Sequence, residues 1–301
     1  MAREFLRWTP ELTWGTFDST STTAQIIQLD QNNAFTMRPS PVSWQIRSAG
    51  GYSRRVQTGS SKTSLQGGLN ILCYGSQMAT LMPAINATSA NVLKSATIDH
   101  CIVMEDNSST KVYRRYLGCM VNQAVFSASE SNQLMRCNIQ LTAKQPATIT
   151  ATDFPEPAAS AYPYDAPYVF EMAAGGLTIG SSRVEFEEFN ITIKNVLDPR
   201  FMAGQYLSRL KYCGRDVDWT TRFPYITSLD RADYEAVTPV AASITFTNGT
   251  HSLAFNFNAN NYKMKADDDL AMDKVYLQSI EGSCFFDPTA GTPNDLTVTV
   301  S

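Results

Sequence analysis

Apolar and polar side chains alternate one by one along most of this chain, the signature of β-strands with one buried face. The clearest stretch is YLGCMVNQAVFSASESNQLMRCNIQLTAKQ, residues 116–145. Leu117, Cys119 and Val121 alternate with Gly118, Met120 and Asn122. A polar knot of Ser129, Glu130, Ser131 and Asn132 interrupts the run, and a second ribbon follows from Leu134 to Leu141. The pattern predicts a β-hairpin with Cys119 and Val121 on its core face and Asn122 on the opposite one.

The same reading predicts strands between Val42 and Tyr74, punctuated by Gly50-Gly51, Gly59 and Gly67-Gly68. A short helix is expected over Ser76–Ile85, capped by Ser76 and broken near Pro83. Strands resume over 96–105, 111–128 and 134–144. Residues 151–167, ATDFPEPAASAYPYDAP, hold four prolines and read as a linker, because proline cannot donate to a sheet ladder. Beyond it, RVEFEEFNITIKNV (183–196) alternates strongly, and LSRLKYCGRDV, SITFT, HSLAFNFN and KVYLQSIEGSCFF give further strands, with a turn at Asn248-Gly249. A second short helix is predicted over Ser228–Val237, with Ser228 as its cap and acidic residues in its first turns.

The two predicted helices stand half a chain apart, each with strands before and after, so element order repeats although residues do not. The expected organisation is mainly β. Residues 1–40 hold an N-terminal arm and first strands, 41–150 a first β domain, 151–167 the linker and 168–301 a second β domain. Within the first segment, Phe5, Trp8, Trp14 and Phe17 suit either an arm ordered against a neighbour or an irregular edge strand.

Composition narrows the function. With 301 residues, 43% of them hydrophobic and 17% charged, the chain can bury a sizeable core and is too apolar to be disordered. Its net charge of −4 provides no global basic field for holding nucleic acid. The basic and aromatic cluster Tyr113, Arg114, Arg115 and Tyr116 is read as a polar face or subunit contact. No apolar run is long enough to span a bilayer. The opening residues show no secretory h-region, so the sequons at Asn86, Asn107, Asn190 and Asn248 carry little weight. Six scattered cysteines without a CxxC pair read as buried free thiols.

Candidate chemistry is sparse. His100 and His251 each stand inside a strand-like segment with no metal-ligand spacing, so no metal is expected. TGSSKTS (58–64) fails the phosphate-loop spacing, having Ser61 before Lys62. Asp267, Asp268 and Asp269 lack the alternating ligands, glycine and final Glu of a calcium loop and read as a solvated loop. No catalytic residue and no cofactor site is assigned. Dispersed glycosidase-type carboxylates are the one enzyme class left open.

The hairpin and several other stretches resemble the tail tube (major tail) proteins of long-tailed bacteriophages. Gly118, Cys119, Val121, Asn122 and Ser127, with a return strand through Leu141 to Lys144, are similar to that family's hairpin. ELTWGTF (11–17) is similar to its opening, Asn195 and Leu197 match its N-x-L segment, and Gly214, Arg215 and Val217 match its Gly-Arg-x-Val turn. The resemblance covers most of the chain. It implies β-sandwich, tube-type domains whose sheets join those of neighbours into a ring β-barrel, and with the repeated element order the chain is expected to hold two of them in tandem, each with one short helix.

By the same resemblance, the rings stack into a tube that carries genomic DNA into the bacterial host without sequence-specific binding or membrane insertion. Two tandem domains favour trimeric, pseudo-hexameric rings over hexamers of single domains. Implied partners are further copies of the chain, the tape measure, the tail terminator and the distal tail or baseplate proteins. The implied setting is a virion tail, long and flexible without a sheath and assembled in the host cytoplasm. Candidate assembly contacts are Arg3, Phe5 and Trp8 of the arm, Ser129, Glu130 and Asn132 of the hairpin turn, and Lys263, Lys265, Asp267, Asp268 and Asp269 of a polar excursion over 258–274. Competing readings are another β-rich virion or surface protein (a tail terminator, a pilus-like subunit or a carbohydrate-binding sandwich) and a β-rich hydrolase.

Overall fold

The computed structural model describes residues 3–21, 24–30, 34–47, 55–87, 92–104, 110–131, 133–154, 165–169, 173–179, 182–184, 186–224, 241–258, 262–269, 277–284 and 295–301. The alternating stretches form antiparallel strands. The first half gives β1 (Arg3–Pro10), β2 (Gln25–Ile27), β3 (Thr36–Arg47), β4 (Arg55–Leu72), α1 (Gly75–Ile85), β5 (Ala96–Val103), β6 (Lys111–Ser129), β7 (Arg136–Ala143) and β8 (Gln145–Thr148). The second gives β9 (Ala173–Ile179), β10 (Ser182–Val184), β11 (Glu188–Arg200), β12 (Arg209–Pro224), β13 (Ala242–Thr247), β14 (Ser252–Phe257), β15 (Tyr262–Asp269), β16 (Leu277–Cys284) and β17 (Leu296–Val300).

Eight of these strands run side by side in the order β3-β4-β7-β6-β11-β12-β16-β15. The first part of β6 departs from this curtain and joins a second layer, β8-β6-β5-β1-β2. Gly118 sits between the two parts with φ 64°. That left-handed conformation is open to glycine at little cost and lets one strand serve both layers. The second half has its own five-stranded layer, β10-β9-β13-β14-β17. There β14 and β15 do separately what β6 does alone.

The pairing makes the two halves copies of one plan. The curtain order reads as β3-β4-β7-β6 followed by β11-β12-β16-β15, and the second layers read as β2-β1-β5-β6-β8 and β10-β9-β13-β14-β17. Eight residue pairs join β4 to β7, from Leu65–Ala143 to Leu72–Arg136. Eight join β12 to β16, from Val217–Cys284 to Pro224–Leu277. Laying Leu65 on Val217 then lays Val42 on Val196, and each of those valines precedes a β-bulge, at Val42/Ser43 and at Val196/Leu197. A shared bulge one residue long is a feature of the backbone plan, because bulges re-aim a strand at a fixed place.

One core runs through both halves. It includes Leu6, Trp8, Ile71, Phe126, Ile139, Phe189, Ile193, Trp219, Phe246 and Phe255. Phe126 and Phe189 meet Phe255 edge-on or tilted, with centroids 5.2 and 6.3 Å away, so rings from β6, β11 and β14 interlock. Trp219 lies over Gly282, where a Cβ would fall 2.3 Å from the indole, so only glycine fits beneath it.

The hairpin over 116–145 is present as β6 and β7, with Cys119 and Val121 fully buried. Other details depart from expectation. The helix begins at Gly75 after an extended Tyr74, so Ser76 is not its cap. Asp165 caps it instead, accepting from the Ser76 N–H at 2.9 Å and the Ser76 hydroxyl at 2.8 Å. Pro83 does not break the helix, which runs to Ile85 and ends with the Asn86 N–H on the Met82 carbonyl. The expected helix Ser228–Val237 falls between β12 and β13, the place α1 holds between β4 and β5, but lies outside the described residues.

The aromatic N-terminal residues form neither an arm nor an edge strand. β1 is an interior strand between β2 and β5, with Trp8 2% exposed. Five cysteines are buried and in no disulfide, whereas Cys213 is exposed because it is the residue skipped by the bulge opposite Val196/Leu197. Both described ends of the proline-rich segment are docked. Phe154 packs with Cys101 and Ile149, and Pro167 bridges to Tyr74.

Candidate assembly interface

The curtain has two unlike faces. Toward the core it presents residues such as Leu69, Ile139, Ala124, Ile191 and Val217. The other face carries Gln66 and Asn70 on β4, Asn138 and Gln140 on β7, and Gln123 and Ser127 on β6, all partly or fully exposed. It continues through Asn190, Thr192 and Lys194 on β11, Asp216, Asp218 and Thr220 on β12, and Glu281 and Ser283 on β16. Amides and hydroxyls dominate, and the charges are of both signs. Several side chains bond along the face: Asn122 Nδ2 donates to Thr142 Oγ1 at 2.8 Å, the Ser283 hydroxyl to Asp218 at 2.6 Å, and Asn138 to Asn70. Such a surface is well hydrated and offers a polyanion no concentrated positive charge to bind.

Behind this face, the residues quoted for their motifs hold the layers together. Glu11, 5% exposed, accepts four hydrogen bonds. Oε1 takes the Thr97 hydroxyl at 2.7 Å and the Gly118 N–H at 2.8 Å, while Oε2 takes the Ser95 hydroxyl at 2.7 Å and the Gly15 N–H at 2.8 Å. Trp14 Nε1 donates to the Gly118 carbonyl at 3.1 Å, and the Lys144 ammonium lies 4.9 Å from the Trp14 ring centroid. ELTWGTF and the hairpin glycine are thus two halves of one clamp around the point where β6 changes layer.

The matching residues of the second half act similarly. Asn195 Nδ2 donates to the carbonyls of Ile85 and Val121, each at 3.0 Å, tying β11 to the end of α1 and to β6. Arg215 is paired with buried Asp295 and also bonds Asn86 and the Leu296 carbonyl. Next to it Gly214 has φ 147°.

Arg115, expected on a polar face, is buried instead. It shares the fully buried Asp99 with Arg7, and its guanidinium lies 3.5 Å from the Phe17 ring centroid. Arg114 beside it is exposed. Strand alternation accounts for the split, since neighbours on a strand face opposite ways. His100 stands against Glu4 and Phe35, and His251 at the β13–β14 turn takes Asn248 Oδ1 on its N–H.

The structure scatters the candidate contacts. Arg3 and Phe5 belong to β1, paired with Val103 and Cys101 of β5, and Phe5 packs beside Ile149 and Phe154. Ser129 ends β6 opposite Glu188, and Glu130 is exposed while its N–H bonds the Glu187 carbonyl. Asn132 lies outside the described residues. Lys263, Lys265, Asp267, Asp268 and Asp269 are not on a loop but on β15, whose ladder with β16 runs from Tyr262–Cys284 to Asp269–Leu277. The sequence reading begins its strands at Val42 and so misses the first part of β3 (Thr36–Arg47), the strand at the other end of the curtain. Its Pro39 and Pro41 disguised it, although proline is tolerated on edge strands.

β3 and β15 each have one strand partner among the described residues, so the curtain ends in two edges. A long open edge is an aggregation hazard unless another chain covers it. No curated protein matches the chain in sequence. The family model described as phage tail tube protein matches residues 1–300. A two-faced curtain, a polar outer surface and motif residues buried as clamps agree with that match, and the chain belongs to the phage tail tube protein family.

Proposed function

We propose that copies of this chain close into rings in which the curtains join as one continuous β-barrel, with the polar face lining the channel. The tandem repeat of the curtain carries this reading. Each copy supplies two equivalent sets of four strands, so three copies present the six sets that six single-unit subunits would. Trimeric, pseudo-hexameric rings are therefore favoured over hexamers. The domain division has 1–40 supplying the first strands and 41–150 the rest of the first β unit, with 151–167 joining it to the second at 168–301 and the shared core holding the two together. Closure removes both edges of the curtain.

The rings stack into the tail tube, and the duplex passes along a lining of amides, hydroxyls and mixed charges that does not retain it. Tape measure, tail terminator and distal tail or baseplate proteins complete the tail. We place the tube in a long, flexible, sheathless tail assembled in the host cytoplasm. Electron microscopy of the purified protein tests the reading. Rings or tubes of uniform diameter with threefold symmetry are expected. True sixfold symmetry defeats the trimer, and a protein that stays monomeric at high concentration defeats the tube assignment in this form.

A further inference from the structure

Inside one chain, the last strand of the first set already pairs with the first strand of the second. That junction joins β6 to β11 in the register Ser127–Asn190, Phe126–Ile191, Val125–Thr192, Ala124–Ile193 and Gln123–Lys194. The repeat assigns an equivalent to every residue in it. Asn190 and Thr36 oppose Thr220 and Gly68, which occupy matching places in β12 and β4, so β11 190–194 corresponds to β3 36–40. Ser127 opposes Arg136, and Asp269 opposes Leu277, so β6 123–127 corresponds to β15 265–269.

We propose that β15 of one copy pairs antiparallel with β3 of the next copy in the register of the internal junction. The pairs are Asp269–Thr36, Asp268–Met37, Asp267–Arg38, Ala266–Pro39 and Lys265–Ser40. This rests on the ring reading and names the edges and residues that close the ring.

Two features that played no part in deriving the register agree with it. The first is charge: the register sets Asp267 opposite Arg38, where the internal junction has Val125 opposite Thr192. The second is backbone direction. The Thr63 N–H donates to the Gln205 carbonyl at 2.8 Å, away from β3. Thr63 opposes Pro41, so Pro41 and, two residues back, Pro39 turn their nitrogens toward the outer edge. Positions 37 and 39 therefore hydrogen-bond the neighbour, whereas Arg38 and Asp267 form a non-hydrogen-bonded pair, the kind with Cα atoms about 4.5 Å apart and side chains closest. Pro39 accepts but cannot donate, so the edge cannot complete a ladder with an arbitrary strand.

Cross-linking tests the register in assembled tubes. Because Cys213 is exposed, the background is Cys213→Ser. Arg38→Cys with Asp267→Cys in one chain should give, on oxidation of assembled tubes, a disulfide ladder that ends at the closed ring. The pair Arg38→Cys with Lys265→Cys, two residues out of register, should stay uncrosslinked. In parallel, Arg38→Asp alone should lower tube yield by about tenfold or more, since every subunit contact in the ring is repelled, and Arg38→Asp with Asp267→Arg should restore it. Tubes that form normally but cross-link only in the shifted pair, or not at all, overturn this pairing and leave the tube reading standing. Unaltered chains that form no ring overturn both.

Discussion

Replacing Glu11 by Gln should destabilise the subunit sharply although the two side chains have the same shape. The carboxylate faces two donors at each oxygen, and one of each pair is a backbone N–H, from Gly15 or from Gly118. A hydroxyl such as Ser95 or Thr97 can rotate and accept from an amide, but a backbone N–H cannot. Whichever way the substituted amide is turned, its NH₂ therefore opposes one N–H, losing a charge-assisted bond and stranding a buried donor. A hydrogen bond to a charged group contributes about 1.5–3 kcal/mol, and a stranded buried donor costs about 1–3 kcal/mol. A total of about 3 kcal/mol is expected for Glu11→Gln, and more for Glu11→Ala, which strands all four donors. Thr97→Val removes only one rotatable donor and should cost about 1 kcal/mol. Urea unfolding of the dissociated subunit measures all three. A Glu11→Gln variant within about 0.5 kcal/mol of the unaltered protein, the range of ordinary surface changes, would refute the clamp around Gly118.

Asn195→Leu keeps the volume but orphans the carbonyls of Ile85 and Val121, and should cost about 2–3 kcal/mol. An unchanged melting temperature would show that those carbonyls find other donors. Deleting residues 1–10 should unfold the chain, because it removes the eight-residue ladder of β1 with β5 and the buried Leu6 and Trp8. A soluble deletion variant with native circular dichroism would contradict this. Burial pushes the thiols of Cys73, Cys119 and Cys137 upward, so they stay protonated in the fold while in the unfolded chain they ionise from about pH 8.5. The unfolded state then binds fewer protons, and stability should fall as pH rises above that value. Unfolding midpoints at pH 7, 9 and 10 would show the slope, which Cys137→Ala should reduce.

Strand alternation made most of this fold legible, because a half-buried strand writes its burial into every second residue. The hairpin over 116–145 and the buried face of Ile191 and Ile193 were read correctly on that basis, although the run 183–196 is divided between β10 and β11. Three features escaped it. The first part of β3, before Val42, hid behind Pro39 and Pro41, whose presence on a strand is explained only once the strand is known to be an edge. β1 read as either an arm or an irregular edge strand because its interior place is set by distant pairing with β5 and by the ion pair of Arg7 with Asp99, 92 positions further along the chain. Asp267–Asp269 read as a loop because carboxylates are poor strand formers, and a strand at the end of a sheet can tolerate them. In the motifs, residue types were visible but their purpose was not. Glu11 and Gly118 stand 107 positions apart in the chain, and no local pattern announces that they meet.

The two halves have kept a ladder geometry while exchanging nearly everything attached to it. Leu65 stands where Val217 stands, Ala143 where Cys284 does, and Gly68 where Thr220 does, yet the eight-pair ladders and the bulge after the valine stay in step. Packing tolerates volume-conserving exchange among apolar residues, whereas a one-residue slip in register turns every side chain to the wrong face. Side chains can therefore differ between the halves where the backbone plan cannot. The junctions obey a further distinction. Between β6 and β11 the chain itself sets who pairs with whom, and a neutral Val125–Thr192 pair suffices. In the proposed ring nothing covalent sets the register between separate copies, so the edges themselves must reject wrong partners. An opposite-charge pair beside a proline that withholds a donor does that, since a slipped strand loses the attraction and gains no bond. On that proposal, the difference in chemistry between two geometrically equivalent junctions separates an intramolecular seam from an intermolecular one.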